Sequence, residues 1–338
     1  MADDQIDAKL RPKPQCYKSV TIFGRTTLPA NAPDRKVRIS HFTALQFYLL
    51  LPLASALIYA TAAICLKIAL GRGVTTWVIL FWSNMVMGLF FVPLLFWPSK
   101  AWDPAGLGMA AAGSLLFFTG QIATFRSLQS GDVSIATPAL ASKVIFVALL
   151  CLLLPDNKPG PNLWIAVALT VGGVVLLHRG PRHSASRPLP TLAWALSAAF
   201  SFAAADVFIQ IGAPKVGFSL FLPVMFGGVA ALSLPLLWPH VLNRPRNPPR
   251  RGAWIWTAAG VILLGVQATS LAASISIFGD ATGINVVYGS RGLWSLLLLA
   301  VVAQHLGVAD SVLDRRTLGL RVIGSVLILA AVAIALVS

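Results

Sequence analysis

Ten long, mostly apolar runs, separated by short segments rich in Gly, Pro, Asp and Arg, leave this chain few ways to fold. A helix needs roughly 20 apolar residues to cross a bilayer, and in lipid every backbone polar group must be satisfied internally. The runs fall at roughly 45–70, 75–97, 105–127, 132–154, 161–178, 190–212, 216–238, 253–278, 281–304 and 317–337. The expected fold is an all-α integral membrane protein of about ten transmembrane helices. Composition agrees: 57% of the residues are hydrophobic and only 11% charged, with a mean hydropathy of +0.79. A soluble core of this size needs far less.

The net charge of +15 would suggest nucleic acid in a soluble protein. Here the basic residues sit mostly in the N-terminal segment or between apolar runs, which reads as membrane topology and excludes nucleic acid as a partner. Residues 1–44 are polar and basic with no apolar signal core, so they are expected to form a flexible tail. Cys16, Cys65 and Cys151 have no metal-ligand spacing, and His178, His183, His240 and His305 have no Glu or Cys partner at such spacing. No metal and no cofactor is expected.

Lys143 stands in ALASKVIFVALLCLLL, residues 139–154, an otherwise apolar run. A lysine at the bilayer centre costs at least about 2.5 kcal/mol, so such residues face a cavity, a partner or a ligand. Aligning the fourth and ninth runs on Gly131-Asp132 and Gly279-Asp280, an offset of 148 residues (280 − 132), lays TPALASKVIF over NVVYGSRGLW. Ser142-Lys143 then falls on Ser290-Arg291, and Phe146 on Trp294. Each cation lies 11 positions past its Asp (143 − 132 and 291 − 280). At 1.5 Å per residue that is about 16 Å, half the hydrocarbon thickness.

The first and sixth runs align at an offset of 139 residues (206 − 67), with Lys67 over Asp206. Five runs per unit give the two halves opposite orientations in the bilayer. This is the inverted-repeat layout of many secondary transporters, whose sites form at the midplane between repeats. The expected organisation is a tail at 1–44, a first five-helix repeat at 45–180, a linker at 181–189 and a second five-helix repeat at 190–338.

YATAAICLKIALGRGVTTWVILFWSN across the first two runs, FFTGQIATFRSLQSGDVSIATPALASKVIFVALLCLLLP across the third and fourth, and LWIAVALTVGGVVLL in the fifth resemble the drug/metabolite transporter superfamily, in its ten-helix form with two EamA-type repeats. The second half matches more loosely, through GVQATSLAASISIFGDATGINVVYGSRGLWSLLLL and GLRVIGSVLILAAVAIALV. The Gly-Glu frequent in that family at the end of the fourth helix is here Pro155-Asp156. The resemblance implies a multi-pass protein of a cell membrane, such as a bacterial inner membrane, that moves a small metabolite. It does not name the solute.

Within that frame Lys143 and Arg291 read as a central anion clamp, arginine offering a bidentate fork and lysine a movable point charge. One turn away, Ala136 and Ala139 would leave room for a solute, while Phe146, Tyr288 and Trp294 would wall it. Gln121, Gln267, Asn285 and Tyr59 add polar groups that suit a solute or, like Asn84 and Gln210, a neighbouring helix. Asp206 is the only acidic residue well inside an apolar run. It is either the counter-ion of Lys67 or Lys143, or the acceptor of a coupling proton. Lys67 either joins this charge set or snorkels to the interface. Asp132 and Asp280 follow glycines and read as N-caps, and Gly172-Gly173 and the segment Gly319 to Gly324 read as sites of close helix approach.

No catalytic constellation emerges, so an enzyme is not expected. The expected activity is secondary transport of a small anionic or zwitterionic metabolite by alternating access, with a proton as a candidate coupling ion. The expected partners are the lipid bilayer and that solute; a homodimer is compatible. The competing reading is a non-transporting multi-span protein, an assembly factor or sensor whose buried charges fix helix pairing. Orientation divides the two lines of argument. Arg72, Arg126, Arg179, Arg182, Arg187, Arg244, Arg246, Arg250, Arg251, Arg315 and Arg316 fall on the side opposite the N-terminus, so the positive-inside rule puts both termini outside. The family resemblance implies both termini inside.

Overall fold

Proline opens and glycine closes several of these helices. The computed structural model describes residues 35–99, 102–130, 136, 139–154, 158–177, 188–237, 249–295, 297–298 and 315–337. They form α1 (Arg35–Gly71), α2 (Thr76–Phe91), α3 (Pro104–Ser130), α4 (Lys143–Cys151), α5 (Pro161–Leu177), α6 (Pro188–Val216), α7 (Phe218–Ser233), α8 (Ala253–Phe278), α9 (Ala281–Tyr288) and α10 (Arg315–Val337). α3, α5 and α6 begin at a proline, whose missing N–H costs nothing in the first turn. α8 ends at Gly279, which adopts φ +66° and donates its N–H to the Ile275 carbonyl at 2.9 Å, a left-handed cap that a side chain would strain. α1 starts ten residues upstream of position 45, because no Gly or Pro stands between Arg35 and Leu51 to stop it. Asp132, Cys16 and the four histidines at 178, 183, 240 and 305 lie outside the described residues.

Among the described residues seven helical segments are long and apolar enough to span a bilayer: Tyr48–Gly71, Thr76–Phe96, Pro104–Gln129, Leu189–Val216, Phe218–Leu236, Ala253–Phe278 and Gly319–Val337. Ala139–Cys151 and Pro161–Leu177 are shorter apolar helices. The protein is an all-α multi-pass membrane protein, with no strand among the described residues.

The runs at 132–154 and 281–304, expected as continuous helices, are each interrupted, and at equivalent positions of the 148-residue alignment. In the first, Ser142 is a turn residue: its N–H and its Oγ both bond the Ala139 carbonyl, at 3.2 and 2.6 Å, and α4 begins at Lys143. In the second, α9 ends at Tyr288, Gly289-Ser290 form a turn, and helical residues resume at Arg291. The N–H groups of Ser290, Gly292 and Leu293 there reach back three residues, to Val287, Gly289 and Ser290, at 3.1, 3.4 and 2.9 Å. A serine competing for backbone carbonyls explains the first break, and a glycine tightening the helix toward three residues per turn explains the second. Lys143 and Arg291 therefore each open a fresh helical segment.

Thr43–Ser338 forms one compact unit. Within it α3 packs along α6 and α7, α2 along α7 and α8, α4 along α6, and α5 along α10. Small residues permit the closest of these approaches. Ala195, Ala198, Ala199, Ala203 and Ala205 of α6 are fully buried. A Cβ on Gly173 of α5 would sit 2.7 Å from the Gly324 carbonyl of α10. In lipid, where apolar surfaces gain little by meeting each other, such backbone contact and interhelical hydrogen bonds supply the cohesion. Asn84 of α2 and Gln121 of α3 exchange two amide bonds at 2.9 and 2.8 Å, and Asn84 also donates to Ser233 of α7 at 2.7 Å.

Candidate functional site

Three helices converge on one carboxylate oxygen. Lys143 Nζ, at the start of α4, lies 2.6 Å from Asp206 Oδ2 on α6. Asn285 of α9 donates to the same oxygen at 2.7 Å and to the Ala281 carbonyl at 2.8 Å. Lys143 and Asp206 are 8% and 5% exposed, so neither charge is left to bulk water, and together they are neutral. The alanines of α6 let α4 come close enough for the pair to form. Lys143 Nζ also lies 6.0 Å from the ring of Phe202, one turn before Asp206.

Arg291 has no such neutralisation. Its guanidinium carbon lies 4.6 Å from the centroid of the Tyr288 ring and 5.2 Å from that of Tyr59, and the two rings meet edge to face at 6.1 Å. Among the described residues no carboxylate lies within 4 Å of it. A cation–π contact gives about 2 kcal/mol when desolvated, whereas taking a cation out of water costs several. The tyrosines hold the arginine in place without cancelling its charge.

These groups face a cavity of about 390 Å³ between α1, α2, α3, α6 and α8. Lys143, Asp206, Arg291, Tyr59 and Tyr288 line it, as do Lys67, Gln121 and Gln267. Apolar side chains such as Leu66, Ile79, Phe117 and Leu264 make up much of the rest. The lining residues come from the last turns of α1, the first turns of α2 and the last turns of α3, so the cavity reaches the end of the bundle where α1 turns into α2. Lys67, Leu70 and Leu128 are exposed at that end.

Phe146, Trp294 and Asn285 do not line the cavity. Phe146 packs edge-on against Phe200 at 5.7 Å, and Trp294 packs against the main buried cluster with its indole N–H unpartnered. Asn285 is committed to Asp206 and to its own helix. Gln121 is fully engaged with Asn84, while the Gln267 side chain bonds to no described residue. Sequence reasoning passed over Phe202, whose spacing of four from Asp206 on one helix face was the available signal, and Asn285 as a second donor to that carboxylate. Asp280 caps α9 through the Gly283 N–H at 2.8 Å and also accepts from Tyr48 at 2.9 Å. Among the described residues no group of three or more His, Cys, Asp or Glu is placed to hold a metal ion.

Residues 46–179 match the model of the EamA-like transporter family. The chain carries an EamA-type unit. Solved structures match as well. One crystal structure of another protein superposes with a TM-score of 0.65 over 85% of this chain and 96% of its own, at 18% identity. At that identity the likeness shows a shared fold. No curated protein matches the sequence.

Proposed function

We propose that this EamA-type protein is a secondary transporter of a small anionic or zwitterionic solute, working by alternating access with the solute bound between two five-helix repeats. The observation that carries the reading is Arg291: a guanidinium gripped by two tyrosines on the wall of a 390 Å³ cavity, with no carboxylate within reach among the described residues. The volume suits a small metabolite. An anion entering the cavity supplies the missing charge and takes the planar fork of the arginine.

The other residues divide the work. Lys143 holds Asp206 when the cavity is empty, and its flexible stem lets the ammonium turn toward a solute anion. Asp206, held by both Lys143 and Asn285, acts as the counter-ion that keeps Lys143 tolerable in lipid. A carboxylate so firmly paired makes a poor proton carrier, which favours solute exchange or the solute's own gradient as the driving force. Tyr59 and Tyr288 position Arg291, and Gln267 offers a free amide to the polar part of the solute. Phe146 and Trp294 pack away from the cavity, against Phe200 and the main buried cluster.

A non-transporting protein with purely structural charges predicts a filled interior around Lys143, and the cavity speaks against it. The deciding experiment is ligand-dependent thermal stabilisation of purified protein against a panel of carboxylates, phosphates, amino acids and nucleotides, on wild type and Arg291→Ala. A solute at one hundred times its Kd stabilises by about 2.7 kcal/mol. Stabilisation in wild type that vanishes in a still-folded mutant supports the reading. If no solute shifts wild type and the mutation alone unfolds it, the charges are structural.

A further inference from the structure

Arg291 is not the only uncompensated cation on the cavity wall. Tyr59, Ala63 and Lys67 follow one another at intervals of four along α1, and all three line the cavity. This is the spacing of a single helix face. Lys67 is exposed and has no carboxylate within 4 Å among the described residues. It stands eight residues beyond Tyr59, the ring against which Arg291 rests, so the two α-carbons are about 12 Å apart along the axis. Both side chains lean toward the helix N-terminus, so the ammonium and the Tyr59 ring keep a spacing of about 12 Å, and two anionic groups seated between the cations would lie about 10 Å apart. Ala63 and Leu66, which fall between Tyr59 and Lys67 on α1, give the wall there apolar surface.

We propose that Lys67 is a second anion-binding point, and that the preferred solute is an elongated dianion carrying its two charges about 10 Å apart across an apolar body. The inference rests on the anion-binding reading of Arg291 and adds to it a selectivity for length and charge. A lysine that merely snorkels to the membrane surface gains nothing from a solute's second charge. One that completes a two-point site favours dianions of matching length and leaves monoanions to Arg291 alone.

The test measures affinities of the full-length protein for nonanedioate, nonanoate and butanedioate by calorimetric titration at low ionic strength. Wild type is expected to bind nonanedioate about five- to tenfold tighter than nonanoate or butanedioate, the return on one partly solvated ion pair. In Lys67→Gln that advantage disappears while nonanoate affinity holds; in Lys67→Arg it persists. Arg291→Gln weakens all three. If nonanedioate binds wild type no tighter than nonanoate, or keeps its advantage in Lys67→Gln, the two-point site is wrong while the Arg291 site stands. If none of the three binds wild type, the anion reading of the cavity falls and this inference falls with it.

Discussion

At the scale of single residues, the described part of the molecule holds a buried ion pair, Lys143–Asp206, and a half-buried cation, Arg291, that rests on two tyrosines with no carboxylate within 4 Å. The pair makes a sharp prediction. Asp206→Asn leaves the Lys143 ammonium without its counter-ion, and removing one member of a buried pair costs about 3–5 kcal/mol. Replacing both charges with apolar side chains of similar size, as in Lys143→Met with Asp206→Leu, removes the problem along with the attraction. Thermal unfolding of wild type, Lys143→Met, Asp206→Leu and the double mutant is expected to show the double mutant more stable than Asp206→Leu alone. Additive losses would mean that the 2.6 Å contact is not an energetic unit. Arg291 behaves differently: Arg291→Leu takes away a charge that no described carboxylate neutralises, so the fold is expected to keep or gain thermal stability while any bound anion is lost. A large drop in Tm would place a structural anion or partner at that site.

Individual helices carry the next level of argument. α5 and α10 meet at Gly173 and Gly324, where a Cβ on Gly173 would press 2.7 Å from a backbone carbonyl that has no room to retreat. Gly173→Ala is therefore expected to cost on the order of 1–3 kcal/mol, the range for overpacking a close contact. Gly172→Ala, whose Cβ would meet its nearest neighbour, a Leu327 methyl, at 4.0 Å, is expected to leave Tm unchanged. Equal Tm values for the two would rule out a tight α5–α10 contact. That glycine pair was legible in the sequence, and so were the apolar runs and the two cations, because charge is rare in lipid and small-residue pairs mark close approach. The breaks at Ser142 and Gly289-Ser290 were not legible. Serine and glycine are ordinary inside membrane helices, and only the local hydrogen bonds show that the helix stops there. The placing of Phe146 and Trp294 failed to follow from spacing for a related reason. Residues one turn from a cation share its general side of the helix, but the neighbouring helices decide which part of that side meets the cavity and which meets Phe200 or the main core.

For the whole molecule the question is which side of the membrane the cavity faces. It reaches the end where α1 turns into α2, while its other end is floored by packed side chains. Phe91 and Phe226 stack there at 4.3 Å amid the buried Met87, Phe221 and Met225. Beyond them Tyr48 of α1 bonds Asp280 at the start of α9 at 2.9 Å, tying the closed end together. The described arginines Arg72, Arg126, Arg250 and Arg251 belong to the cavity end, whereas Lys158 and Lys215 belong to the closed end. The positive-inside rule then orients the cavity end toward the cytoplasm, against the orientation that the family resemblance implies. Single cysteines settle it. In a background with Cys16, Cys65 and Cys151 replaced, Arg251→Cys, Lys158→Cys and Thr124→Cys, the last on the cavity wall, are treated with a membrane-impermeant thiol reagent from one side at a time. Charge predicts that positions 251 and 124 label from the cytoplasm and position 158 from outside. The reverse pattern would show that this protein inserts as the family resemblance implies despite its arginines, with the cavity facing outward. Labelling of position 124 from the side opposite position 251 would show instead that the closed end opens, and that the Tyr48–Asp280 bond breaks as part of the cycle.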